Sequence, residues 1–257
     1  MAHNVQGFVS VWEFEKLMMN NLLKMNRITN VQDIGSSPNS TKPAVVGSTV
    51  ILGDCVQLMK GYADNYFDLA VVDPPYEGND AIDLKNNNNF RKQATKRKVY
   101  HLFENTMPND EYFEQLFRVS KHQIIWGGNY FGISGGVIAW QKNGTAFGEG
   151  EIAICSTHKS VRFFEFTWNG MIQGDMKNKE QRIHPTQKPV ALYDYCFSRY
   201  ATPGMKILDT HLGSGSSRIA ADKAVLDFTG FELLAEHYNN QEKRFKHYKS
   251  QLRIEGW

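Results

Sequence analysis

The apolar run Phe67-Asp68-Leu69-Ala70-Val71-Val72 breaks off at Asp73-Pro74-Pro75-Tyr76, and this junction restricts the fold more than any other stretch of the chain. A short run dominated by aliphatic side chains predicts a buried strand, and two consecutive prolines lock the backbone that leaves it. Prolines supply no amide donors, so the Asp73 carboxylate and the Pro74 carbonyl are left to face outward as paired acceptors, with the flat ring of Tyr76 next to them. Two acceptors and an aromatic plane suit a planar ring bearing an exocyclic amine, a group present on adenine and cytosine and absent from thymine. A strand running into a proline turn is the plainer reading of the same four residues, and only the rest of the chain can separate the two.

With 257 residues, 41% of them hydrophobic, the chain can bury a full core, which fits one large α/β domain with insertions better than two small domains. A net charge of +2 means that a nucleic-acid surface would have to come from local clustering of Lys and Arg. Cys55, Cys155 and Cys196 are odd in number and lack C-x-x-C spacing, which argues against a disulfide framework or a structural zinc site. They are expected to be reduced core thiols, and no metal is expected. No apolar stretch approaches membrane-spanning length, and the N-terminus lacks the basic start and unbroken apolar region of a signal peptide. The expected setting is therefore the cytoplasm, with no membrane partner.

Along the chain, Trp12, Leu17, Met18, Leu22 and Met25 recur near helical spacing, predicting a docking helix whose alternative use is a homodimer contact. Residues 29–47, rich in Ser, Asn, Pro and Gly, form an exposed connection, so that 1–47 is an N-terminal helix and linker and 48–257 the main domain. Thr49–Leu52 predicts a strand, Val56, Leu58 and Met59 a short helix, Phe67–Val72 a strand, Asp110–Val119 a helix and Gln123–Trp126 a strand, giving a β-α-β-α-β rhythm. Strands over Val137–Trp140, Glu151–Ser156 and Val161–Trp168 follow without helices between them, so the sheet is expected to finish in antiparallel strands. The surrounding segment 141–183 is a candidate for target recognition. Within the loop 77–107 lie Lys85, Arg91, Lys92, Lys96, Arg97 and Lys98, with no acidic residue between Lys85 and Lys98. A solvated charge run is the ordinary reading of such a loop, but its position directly after Tyr76 equally supports phosphate contacts.

Pro189–Ala201 predicts a helix, Lys206–Asp209 a strand, and Asp209-Thr210-His211-Leu212-Gly213-Ser214-Gly215-Ser216-Ser217 a glycine-rich turn opening a further helix. Asp227–Glu232 then supplies a strand with an acid at its end, completing a nucleoside-binding layout. The turn lacks both the third glycine of a dinucleotide fingerprint and the Gly-Lys-Ser/Thr of a P-loop, which disfavours phosphates. A nucleoside without phosphates remains, its ribose on Glu232 and its amino-acid portion over Gly213-Ser214-Gly215; S-adenosylmethionine is such a ligand.

Gly53-Asp54-Cys55, Asp73-Pro74-Pro75-Tyr76, His184-Pro185-Thr186-Gln187-Lys188-Pro189 and the Asp209–Gly215 stretch, in that order, resemble the β group of amino-methylating DNA methyltransferases. The resemblance covers the chain from about Thr49 onward, and Trp126-Gly127-Gly128-Asn129-Tyr130-Phe131 is similar to a segment of phage and prophage members. It implies a Rossmann-like, doubly wound α/β sheet, circularly permuted, mostly parallel with antiparallel strands at one edge. It further implies Asp73, Pro74, Pro75 and Tyr76 as the catalytic motif and S-adenosylmethionine as cofactor. Asp54, with Cys55 beside it, would meet the cofactor's adenine amine, and Glu232 its ribose. Asp209 with Gly213, Ser214 and Gly215 would hold the methionine portion, with His184 and Lys188 near its carboxylate. Where the family usually carries Pro-Phe, this chain has Thr210-His211, so His211 would cover the cofactor instead; a metal role for it is disfavoured because no His or Cys stands nearby at ligand spacing.

The implied reaction is methyl transfer to the N6 amine of adenine in duplex DNA, with the base flipped out and stacked on Tyr76. The Asp that opens the motif is the commoner adenine form, whereas Ser is the commoner cytosine form. Cytosine-N4 methylation and a catalytically silent DNA-binding subunit of the same fold are the alternatives.

Overall fold

The computed structural model describes residues 46–76, 107–143, 148–169 and 172–252. In chain order the elements are β1 (Ser48–Leu52), α1 (Cys55–Met59), β2 (Phe67–Val72), α2 (Asp110–Val119), β3 (Ser120–Trp126) and a one-turn 3-10 helix (Gly128–Phe131). There follow β4 (Gly136–Gln141), β5 (Gly150–Cys155), β6 (Val161–Glu165), β7 (Trp168–Asn169), β8 (Ile172–Gln173), α3 (Val190–Tyr200), β9 (Lys206–Asp209), α4 (Ser216–Lys223), β10 (Asp227–Glu232) and α5 (Ala235–Leu252). The expected N-terminal helix and the basic residues Lys85, Arg91, Lys92, Lys96, Arg97 and Lys98 lie outside the described residues.

Local chemistry sets the element boundaries. The Asn109 side chain accepts the Tyr112 amide at 3.1 Å and starts α2, Asp110 and Glu111 occupy its positive end, and Arg118 its negative end. Asp54 starts α1 by accepting the Gln57 amide at 2.9 Å. Along β2 every residue except Asp68 is buried, because helices cover both faces of the sheet. Leu69 and Val71 face a core shared with Cys196 and Phe197 of α3 and Ala220 and Ala221 of α4. Ala70 and Val72 face the opposite core, formed with Met59 of α1 and Tyr112, Leu116 and Val119 of α2.

Eight strands form one sheet in the order β1-β10-β9-β2-β3-β5-β4-β6, and β7 and β8 make a separate ribbon. The C-terminal unit β9-α4-β10 is inserted between two N-terminal strands: β10 runs parallel to β1, with Leu52 opposite Glu232, and β9 runs parallel to β2, with Ala70 opposite Leu208. This is the circular permutation expected from the sequence. The antiparallel finish is narrower than expected. Among the described strands of this sheet only β5 opposes its neighbours, pairing antiparallel with both β3 and β4, whereas β6 lies parallel to β4. The predicted strand Val161–Trp168 also ends early, at Glu165; Phe166 donates its amide to the Gln141 carbonyl at 3.1 Å, and Trp168 joins the ribbon instead.

Arg118 ties α2 to the connection leading into β2. Its guanidinium donates to the carbonyls of Tyr62 (2.8 Å) and Met59 (2.9 Å) and to Asp64 (2.8 Å). Arg118→Met leaves both carbonyls without that charged donor and should lower stability by roughly 1.5–3 kcal/mol. Urea titration checks this as a lower midpoint at unchanged slope; an unmoved midpoint would mean the guanidinium is dispensable there.

Candidate active site

Strands β1, β10, β9, β2 and β3 are mutually parallel, so their C-terminal ends share one edge of the sheet. That edge carries Asp54, Glu232, Asp209, Asp73 and Gly127, each at or just beyond a strand end. The strand order reverses between β9 and β2, and open α/β sheets bind ligands in the crevice at such a point.

On the β9 and β10 side, Asp209 is buried and accepts the Ser217 hydroxyl at 2.5 Å and the His211 amide at 3.0 Å. Burial pushes its carboxyl up to about 7. Glu232 accepts the amide of Gly213 at 2.8 Å and that of Leu234 at 2.9 Å, so it pins the glycine turn to the segment leading into α5. Gly213 sits at φ +52°, and a Cβ there would stand 3.3 Å from the His184 ring; glycine lets the turn lie against that imidazole. Burial drives His184 down to about 3 and His211 down to about 4, so both rings are neutral near pH 7. The Thr210 hydroxyl lies 2.7 Å from the Tyr112 hydroxyl and 2.9 Å from His211 Nδ1, and it thereby fixes the residues that stand in the Pro-Phe positions. Cys55, beside Asp54, is pushed up to about 12 by burial and stays a thiol. Two acidic side chains, Asp209 and Glu232, thus flank the turn, and the Arg244 guanidinium donates to its Ser214 carbonyl at 2.9 Å.

On the β2 side, the Lys188 ammonium bonds to Asp73 and makes a 3.1 Å ion pair with Glu151, which also accepts from Lys142. Lys188 is 6% exposed and Asp73 17%, so two lysines and two acids face one another with little access to water. Burial raises the Asp73 carboxyl above its usual range while Lys188 opposes the shift. Glu151 resists burial better and is held down to about 2 by Lys188 and Lys142. The Tyr76 ring, expected to offer a stacking face, is buried and stacks on Tyr130 with centroids 4.6 Å apart and planes 7° apart.

Sequence-predicted residues thus gather at one edge of the sheet, with two differences. Lys188, expected beside a cofactor carboxylate, lies on Asp73 and Glu151. The segment 141–183, read as a candidate recognition region, includes β5, which lies inside the sheet between β3 and β4. Lys142, Glu151 and Tyr130 escaped notice as site residues. A lone acid in the otherwise apolar Gly150-Glu151-Ile152-Ala153-Ile154 run was the available signal for Glu151. Among the described residues no group of His, Cys, Asp and Glu is arranged to hold a metal ion.

Comparison with known proteins gives a consistent result. A family model for DNA methylases of the N6/N4 type matches residues 60–243. The Type II methyltransferase M2.MboI of Moraxella bovis is 24% identical over 240 residues, covering 75% of this chain and 85% of that protein. Among solved structures, the M1.HpyAVI–SAM complex superposes with a TM-score of 0.52 at 16% identity, covering 77% of this chain and 99% of the other. The cytosine-N4-specific PvuII DNA methyltransferase superposes with a TM-score of 0.53 at 12% identity, covering 79% and 89%. Both superpositions are evidence for the fold.

Proposed function

This chain belongs to the family of N6/N4 DNA methylases, and on that premise we propose that it methylates the N6 amine of adenine in duplex DNA with S-adenosylmethionine as donor. The observation that carries the proposal is the half-buried Asp73 side chain at the end of β2, beside Tyr76, across the strand-order reversal from the glycine turn that follows β9. Adenine is favoured over cytosine by the aspartate itself, since Asp at the first motif position is the commoner adenine form.

The donor supplies a methyl group on a cationic sulfonium centre. The chain's residues position it: Glu232 and the Gly213-Ser214-Gly215 turn hold the ribose and amino-acid portions, Asp54 the adenine amine, and the neutral His211 covers it. Asp73 and the Pro74 carbonyl accept the two hydrogens of the target amine, which turns its lone pair out of conjugation with the ring and toward the methyl group. Displacement then depends on alignment and fixed dipoles. Asp73 serves only as a carboxylate, and Lys188 favours that form against the cost of burial, with Glu151 and Lys142 holding Lys188 in place. As the S–CH3 bond breaks and the N–CH3 bond forms, the methylated nitrogen is left with a surplus proton, which Asp73 is placed to accept. A base within the duplex cannot reach this crevice, so the target nucleotide is flipped out and stacked on Tyr76.

Nucleoside mass analysis of DNA from cells expressing the protein tests the reading. N6-methyladenine is the expected product; N4-methylcytosine would move the assignment to the other branch of the family, and no methylated nucleoside would overturn it.

A second expectation concerns pH. The charged groups facing Asp73 are Lys188, from the segment before α3, and Glu151 on β5, with Lys142 beyond it. Lys188→Met removes the cation that favours the carboxylate, so the proton affinity of Asp73 rises. The acid limb of the single-turnover pH–rate profile should therefore move to higher pH. An unmoved limb would detach Lys188 from the chemistry of Asp73.

A further inference from the structure

The Tyr76 ring is largely covered, and Tyr130 lies on one of its faces. It is 9% exposed, Tyr130 is stacked on it at 4.6 Å, and Gly127, at φ +68°, lies so close that a Cβ there would stand 2.4 Å from Tyr76 Cδ1. Each stacked layer needs about 3.5 Å, so a third ring cannot enter between rings at this separation. A base can stack on Tyr76 only by taking the place of Tyr130. Tyr130 itself is 52% exposed. It stands beside a cavity of about 270 Å³ lined by Tyr76, Asn129, Glu151 and Ile152 among others. Its one-turn helix is bracketed by Gly127 and Gly132, both left-handed, and a Cβ on Gly132 would meet nothing within 4 Å. The next residue, Phe131, is anchored on Phe113 with ring centroids 5.0 Å apart, so the turn can stay in place while the Tyr130 side chain swings out.

We infer that Tyr130 is a placeholder for the target base: its ring occupies the stacking position on Tyr76 until a flipped base displaces it. The inference rests on the reading of Tyr76 as the base-stacking residue. It makes entry an exchange of one aromatic stack for another, so stacking alone gives a base little advantage. What tips the exchange is the amine held by Asp73 and Pro74. Thymine, which has no such amine, has nothing with which to offset the loss of the Tyr130 stack. Tyr130 acts through Tyr76 and is a positioning residue.

The test uses the full chain and a labelled duplex carrying the methylation site found in parent-modified DNA, with anisotropy as the readout. A second duplex has an abasic target nucleotide, which offers no ring to compete with Tyr130. Tyr130→Ala should tighten binding to the intact site about two- to tenfold, the range of one aromatic pair, and leave binding to the abasic duplex unchanged. Tyr130→Phe, which keeps the ring, should bind both duplexes as the parent does. Weaker binding of Tyr130→Ala to the intact site would make Tyr130 a wall of the base pocket and overturn the inference. Equal tightening on both duplexes, or no change on either, would overturn it as well. Methyl transfer by the parent on the intact duplex reports separately on the proposed function: transfer with no Tyr130→Ala effect sinks the placeholder alone, and absence of transfer sinks both.

Discussion

An ammonium group sunk between two carboxylates sets the electrostatic state of the candidate active site. Lys188 is almost fully buried, and its charge persists because Asp73 and Glu151 surround it; the lysines in turn hold Glu151 ionised and oppose the effect of burial on Asp73. Burial favours the neutral form of Asp73 at the end of β2, and a neutral acid could not take up the proton that the proposed reaction releases. Glu151, itself held by Lys142, shares the ammonium with Asp73, which lies closer to it.

The arrangement depends on the order of strands. Inserting β9-α4-β10 between β1 and β2 sets the ends of β9 and β2 side by side, although Asp73 and Asp209 are far apart in the chain. Because these strands are parallel, the turn carrying the glycines and the turn carrying the prolines open toward the same side. Glu232 then fixes the glycine turn through two backbone amides, and Arg244 of α5 bonds the Ser214 carbonyl and Glu180. These bonds fix the glycine turn in place, which a reaction governed by alignment requires.

Much of this was legible in the sequence, for physical reasons that can be named. Buried parallel strands leave continuous apolar runs, so β2 and β3 stood out, and proline and glycine mark the turns where strands end at a site. The resemblance of four ordered motifs supplied the permutation. What escaped was set by long-range pairing. The parallel alignment of β6 with β4 leaves no mark in local periodicity, since either direction shows the same alternation. Lys188 belongs to a legible motif, but its partner Glu151 lies on a strand whose place beside β3 cannot be deduced from spacing. Tyr130 was visible within Trp126-Gly127-Gly128-Asn129-Tyr130-Phe131, yet only the folded chain shows its ring lying on Tyr76.

The central claim is that the Asp73 carboxylate acts on the target amine and does not hold the cofactor site together. Single-turnover methyl transfer by Asp73→Ala, with S-adenosylmethionine affinity measured on the same protein, tests it most directly. The account predicts a rate lower by ~10²–10³, as for loss of one preorganised hydrogen-bonding group, with cofactor affinity largely unchanged. A near-parental rate, or a loss confined to cofactor binding, would contradict it.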